Sequence, residues 1–165
     1  MESLLKQLRR DYTDIVFTPG KQFCWSPKNQ EVVYVKTDKG AGSAPWSLLH
    51  ELGHALLEHT DYDSDLELIT LESKAWEKAK EIGKNYGYEI NENHIEDCMD
   101  TYRDWLHQRS ACPRCGTRSL QQDNTHYKCF NCGQTWAVST SRFCRPYRMT
   151  KQTKTPPSLS KTTFV

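Results

Sequence analysis

The chain has 165 residues, 36% of them hydrophobic, which allows one modest core with an appendage rather than a large one. Its net charge of +1 hides a split: residues 1–108 carry 12 Lys+Arg against 20 Asp+Glu, a net of −8, whereas residues 109–165 carry 10 against Asp123 alone, a net of +9. That asymmetry predicts two units with different electrostatic roles, and the absence of any long apolar run excludes a transmembrane helix or signal peptide within the sequence.

Leu4, Leu5, Leu8 and Tyr12 among charges predict an amphipathic helix over residues 1–12. Short strands follow at 15–17, 22–25 and 32–35, separated by turn signals at Pro19-Gly20 and Pro27-Lys28-Asn29. Pro45 suits the first turn of a helix running to about His59. Ser64-Asp-Leu-Glu67 is a capping box opening a second helix, which runs to about Lys84 and stops at Asn85-Tyr-Gly87. Ile95, Met99, Tyr102 and Leu106 set the period of a third, from about Glu92 to Gln108. Residues 141–165 have six basic residues, no acids and Pro156-Pro157, the composition of a disordered or loosely docked tail.

His50-Glu51-Leu52-Gly53-His54 is an H-E-x-x-H motif. Residues i and i+4 of a helix lie one turn apart on one face, so two imidazoles can grip one Zn²⁺. Glu51 stands about 100° round the helix. There it can act as general base on a metal-activated water without ligating the metal. Leu48, Leu52, Ala55 and Leu56 occupy the opposite face, which separates the core side from the metal side. Gly53 allows a neighbouring backbone to approach closely, at a cost of roughly 1 kcal/mol in helix propensity.

The downstream candidates for a third ligand are His59, Glu67, Glu72, Glu77, Glu81, His94 and His107. On the second helix, Leu68, Ala75, Trp76, Ala79 and Gly83 all fall within about 40–60° of Glu72. A carboxylate inside an apolar stripe is costly unless it is paired or bound to metal. Glu67, Glu77 and Glu81 fall on the far, solvated side. Glu72 is therefore the expected ligand, and His59, about 180° from His50 on a continued helix, reads as a packing or capping residue.

His50-Glu-Leu-Gly-His-Ala-Leu-Leu-Glu-His59, preceded by a strand and followed by Glu72-Ser-Lys-Ala75-Trp-Glu-Lys-Ala79, resembles the ImmA/IrrE-type metallopeptidases over about residues 15–85. The resemblance implies a zinc-dependent peptidase with two histidines and a downstream glutamate as ligands. It also implies a regulatory role, since members of that family commonly cleave helix-turn-helix repressors.

Cys112-Pro-Arg-Cys115-Gly, thirteen residues, then Cys129-Phe-Asn-Cys132-Gly has the spacing of a zinc ribbon. All four ligand positions are thiolates, so this Zn²⁺ is expected to be structural, with most of the local folding free energy coming from the metal. Seven cysteines, with Cys24, Cys98 and Cys144 outside the pairs, argue against a secreted disulfide framework and for a reducing, cytoplasmic setting. Tyr127, Phe130, Trp136 and the tail residues Arg142, Arg145, Arg148, Lys151 and Lys154 could track a phosphate backbone, giving weak nucleic-acid binding through 109–165. Docking of the basic segment onto a protein, or onto the acidic half of the chain, is the competing expectation.

The expected architecture is α+β: a small, mainly antiparallel sheet packed on metal-binding helices, as in a minimal zincin-like peptidase (1–108), a zinc ribbon (109–140) and the basic tail (141–165). Val32–Lys36 is the expected rim strand, to which a protein or peptide substrate would add. Tyr34, Tyr62 and His94 are candidate oxyanion donors. Two rival functions remain open: an SprT-like peptidase acting on DNA-bound proteins, whose third ligand is a histidine, and a non-enzymatic zinc-ribbon adaptor for nucleic acid or transcription.

Overall fold

The computed structural model describes residues 1–36 and 42–139, and the backbone of 148–149. The chain divides into two units between His107 and Gln108. In the first, α1 (Glu2–Asp11) buries Leu4, Leu5 and Leu8, the stripe that its periodicity predicts. Three strands follow: β1 (Val16–Gly20), β2 (Cys24–Ser26) and β3 (Glu31–Val35). The helices α2 (Ala44–Leu56), α3 (Asp65–Asn85) and α4 (Glu92–Arg109) complete the order. One core joins α1 (Leu4, Leu8), the sheet (Phe17, Val32), α2 (Leu48, Leu49, Leu52), α3 (Trp76, Ala79, Ile82) and α4 (Ile95, Met99).

The sheet runs in the order β1-β3-β2, with β3 parallel to β1 and antiparallel to β2. It is therefore mixed, and β3 is its central strand. The expectation that Val32–Lys36 forms the rim is overturned, because both edges of β3 are already paired. Alternation made β3 look like any half-buried strand, and strand order is not written in alternation. Pro19 and Gly20 do not turn the chain either. They extend β1, where a residue without an amide proton is tolerated because β1 is an edge strand.

The start of α3 follows its capping box closely. Ser64 Oγ accepts from the Glu67 amide at 3.1 Å, and Glu67 returns a bond to the backbone amide of Asp63 at 2.8 Å, one residue further out than the simplest box. Leu68, Glu72, Ala75, Trp76, Ala79 and Gly83 are buried on α3, while Glu67, Glu77 and Glu81 are exposed, as the helical-face argument predicts.

The second unit carries β4 (Leu120–Gln121), β5 (His126–Lys128), β6 (Thr135–Val138) and β7 (Arg148–Met149) in one antiparallel sheet, ordered β4-β5-β6-β7. Two residues of the segment read as tail, Arg148 and Met149, thus pair with β6, and the rest of 141–165, Cys144 included, lies outside the described residues. The core here is small: Tyr127, Trp136 and Val138 with two of the cysteines, Cys112 and Cys129. Tyr127 and Trp136 stack with ring centroids 5.5 Å apart, and the Trp136 indole donates to the Arg109 carbonyl at 3.0 Å. No helix among the described residues is long and apolar enough to cross a membrane.

Candidate metal centres

The helix α2 presents His50 and His54 one turn apart, and α3 crosses it close enough to bring Glu72 to both. The close crossing depends on Gly53: a Cβ there would lie 2.5 Å from the Ala75 carbonyl oxygen. His50 Nε2 is 3.1 Å from Glu72 Oε2 and 3.2 Å from His54 Nε2, and His54 Nε2 is 3.5 Å from the same carboxylate oxygen. His50 and Glu72 are each 6% exposed, so a desolvated carboxylate and two imidazoles face one point. Neutral imidazole and carboxylate both offer lone pairs, which makes that point suited to a cation. Burial alone pushes the Glu72 carboxyl up, but the adjoining imidazoles of His50 and His54 outweigh it and hold the group well below the usual carboxylate range.

Glu51 lies beside this group, and its Oε2 accepts the backbone amide of Trp25 at 2.8 Å. Burial pushes its carboxyl above the ordinary range, with His50 and His54 acting in the opposite direction. Trp76 stacks on His50 at 4.1 Å between centroids and a 23° tilt, fixing that ring from the side.

His59 has a different place from the one expected. The helix ends at Leu56, and Glu58 takes a left-handed conformation (φ 53°) that folds the chain back. His59 Nδ1 then meets His54 Nδ1 at 2.9 Å. Burial, seconded by His54, holds His59 below the ordinary histidine range. A helix continued through residue 59 would put this ring on the core face, and only the backbone reversal at Glu58 brings it beside His54.

The other candidates fall elsewhere. His94 sits between Trp46 and Trp76, at 5.1 and 5.6 Å between centroids, with Cys98 Sγ 3.7 Å from its Nε2. Tyr34 is buried under the Arg9 guanidinium, 5.8 Å from its ring centroid. Tyr62 is half-buried in the segment between α2 and α3, and His107 is exposed.

In the second unit Cys112, Cys115, Cys129 and Cys132 bring one sulfur each within 4.8 Å of the others. Each C-x-x-C-G turn is built the same way. Gly116 and Gly133, at φ 74° and 72°, donate to the carbonyls of Cys112 and Cys129, both at 2.9 Å. The amides of Cys112 and Cys129 donate five residues on, to Thr117 and Gln134, at 2.9 and 2.8 Å. The left-handed glycines let each turn close. Hydrogen bonds with Thr117, with help from Asn131, hold the Cys115 thiol down to about 5.

Of the aromatics expected to face nucleic acid, Tyr127 and Trp136 are buried in the stack and unavailable; Phe130, 70% exposed, is the one left outside. Arg114, at the corresponding turn of the first knuckle, is also exposed.

Both groups, the four cysteines and His50-His54-Glu72, could thus hold a metal ion. Comparison with protein-family models, curated proteins and solved structures returned no match for this chain.

Proposed function

We propose that the first unit is a zinc-dependent endopeptidase of the ImmA/IrrE type, cutting a protein substrate in a regulatory role, and that the second is a zinc ribbon. The observation that carries the reading is the spacing of the His50, His54 and Glu72 donor atoms. Zinc bonds of about 2.0–2.1 Å at tetrahedral angles put neighbouring ligand atoms about 3.3 Å apart. The three separations here are 3.1, 3.2 and 3.5 Å. Zinc–sulfur bonds of about 2.3 Å likewise imply sulfur separations of about 3.8 Å, beside 3.6 Å for Cys112–Cys132 and 3.5 Å for Cys115–Cys129.

In this reading His50, His54 and Glu72 hold the catalytic ion. When bound, that ion supplies an acidified water and polarisation of the scissile carbonyl. Glu51 takes the proton released as the nucleophile forms and returns it to the departing amine. Its Oε2 is fixed by the Trp25 amide, which orients the carboxylate and leaves Oε1 for the proton. A substrate chain would pass beside β2, the edge strand whose Trp25 amide holds Glu51, rather than along β3. A helix-turn-helix repressor is the substrate class the resemblance implies.

The SprT-like alternative needs a histidine as third ligand, and His94 faces Cys98 and two tryptophans while Glu72 meets both histidines. The inert-adaptor alternative leaves the placement of a half-buried Glu51 beside His50 and His54 without a use. The test is cleavage of a mixed peptide library by the zinc-loaded chain, read by mass spectrometry. Wild type should generate new termini, and Glu51→Gln should generate none while keeping its metal. Equal cleavage by both would remove Glu51 from the chemistry.

A second reading concerns the other unit. Arg114 and Phe130 stand exposed on its two knuckles, with Lys128 also exposed, in a segment whose net charge is +9. That combination supports weak, sequence-tolerant contact with a single-stranded nucleic acid.

A further inference from the structure

The end of α2 is built so that a third histidine supports the second. His59 N donates to His54 O at 3.0 Å and Glu58 N to Ala55 O at 3.1 Å. These six-to-one and five-to-two bonds, with Glu58 left-handed between them, are a Schellman terminus. Such an end brings together the side chains of the second residue beyond the cap and the third from the helix end, and an apolar pair commonly fills those places. Here they are His59 and His54.

The proton assignment follows from the contacts. His54 Nε2 faces His50 and Glu72, so its lone pair belongs to the cation and its proton to Nδ1. The partner of that Nδ1 is His59 Nδ1 at 2.9 Å, which must then accept, leaving the His59 proton on Nε2. A ligand histidine ordinarily donates to a carboxylate, a carbonyl or water. His59 is 8% exposed and is itself held, since the Trp25 indole Nε1 donates to its carbonyl at 2.9 Å. The Trp25 amide meanwhile holds Glu51 at 2.8 Å. One residue of strand β2 therefore reaches both the general base and the support of a ligand.

We infer that His59 and Trp25 are positioning residues of the metal centre: His59 accepts the Nδ1 proton of His54 and keeps its Nε2 aimed at the ion, and Trp25 holds His59 and Glu51 in register with each other. The inference rests on the reading of His50, His54 and Glu72 as a metal centre. It concerns metal affinity as well as catalysis, so it can be tested without a substrate.

The experiment is a Co²⁺ titration of the full chain against a competing chelator. Thiolate charge-transfer bands report the cysteine site, and the weaker d–d bands of a nitrogen–oxygen site report His50-His54-Glu72. His59→Phe keeps a ring without an acceptor, and His59→Gln keeps an acceptor without a ring. His59→Phe should weaken the nitrogen–oxygen site about 10–100-fold, leave the thiolate site unchanged, and be largely rescued by His59→Gln. Trp25→Phe, which removes the indole donor together with part of the ring, should shift affinity in the same direction by less.

Wild-type affinity in His59→Phe, or equal losses in Phe and Gln, would reduce His59 to packing and overturn the inference while the metal centre stands. A wild-type chain binding no ion at this site would overturn both. Should His59→Phe fail to fold, the tautomer decides: long-range ¹⁵N–¹H spectra of the zinc-loaded wild type should show His59 protonated on Nε2, and protonation on Nδ1 would refute it.

Discussion

Gly53 and Ala75 meet backbone to backbone where α2 crosses α3: a Cβ on residue 53 would stand 2.5 Å from the carbonyl oxygen of residue 75. Glu72 lies one turn before Ala75, so this contact sets how far the carboxylate stands from His50 and His54. The glycine inside the H-E-x-x-H motif is thus a spacing element for the third donor.

Gly53→Ala tests that relationship. Helix propensity alone favours alanine by about 1 kcal/mol. Overpacking against a backbone that cannot swing aside costs about 1–3 kcal/mol. The expected net result in urea unfolding is a loss of up to about 2 kcal/mol, accompanied by weaker metal binding at His50, His54 and Glu72. The exposed Lys74→Ala on the same turn of α3 should change neither. A variant at 53 as stable and as metal-competent as wild type would show that the crossing has slack.

Glu58→Gly should stabilise the first unit. A left-handed conformation costs an ordinary residue about 1–2 kcal/mol, and glycine gives back roughly 0.5–1 kcal/mol in unfolded-chain entropy. The unfolding free energy should rise by about 0.5–1 kcal/mol, read from urea midpoints with the slope unchanged. A lower midpoint would mean that the Glu58 side chain contributes more than its backbone conformation costs.

These two positions show how far the sequence carries. The helix-period signals located α1, α3 and α4 within a few residues, and the face argument singled out Glu72 because a carboxylate in an apolar stripe demands a partner. Gly53 was recognisable as a close-approach position for the same local reason. What could not be read were features set by chain reversal and strand order. His59 reaches His54 only because Glu58 turns left-handed, and nothing in Glu58 itself signals that. Strand β3 looked like a rim because alternation reports one buried face and is silent on which neighbours occupy the two edges. Tyr127 and Trp136 looked like stacking platforms, but a unit with so small a core uses its largest rings to fill itself.

Chelation should unfold the second unit selectively. With Tyr127, Trp136, Val138 and the cysteines as its small core, a metal held by the four cysteines would supply most of what keeps it together. After a strong chelator, limited proteolysis should cut within residues 108–139 while residues 1–36 and 42–107 stay protected. Undiminished protection of 108–139 would mean that the unit folds without metal.

The full chain should bind single-stranded oligonucleotide weakly and with a steep loss of affinity as salt rises, since each phosphate contact releases condensed counterions. Fluorescence anisotropy at low and high salt measures it. Phe130→Ala should weaken binding by roughly 1–3 kcal/mol if bases stack on that ring, with little change in salt slope. Absence of binding at low salt would leave docking of the basic segment onto a protein surface as the role of this unit.

The metal centre is tested most directly by the metal content of the full chain and two glutamate variants, measured by elemental mass spectrometry after purification without added chelator. Wild type should carry two zinc ions per chain. Glu72→Ala should carry one, retained by the four cysteines, because its carboxylate is the donor that both histidines meet. Glu81→Ala should carry two, because Glu81 is exposed and paired with Lys78 at 2.9 Å on the outer face of α3. A single zinc in the wild type, or two in Glu72→Ala, would contradict the claim that His50, His54 and Glu72 form a metal centre.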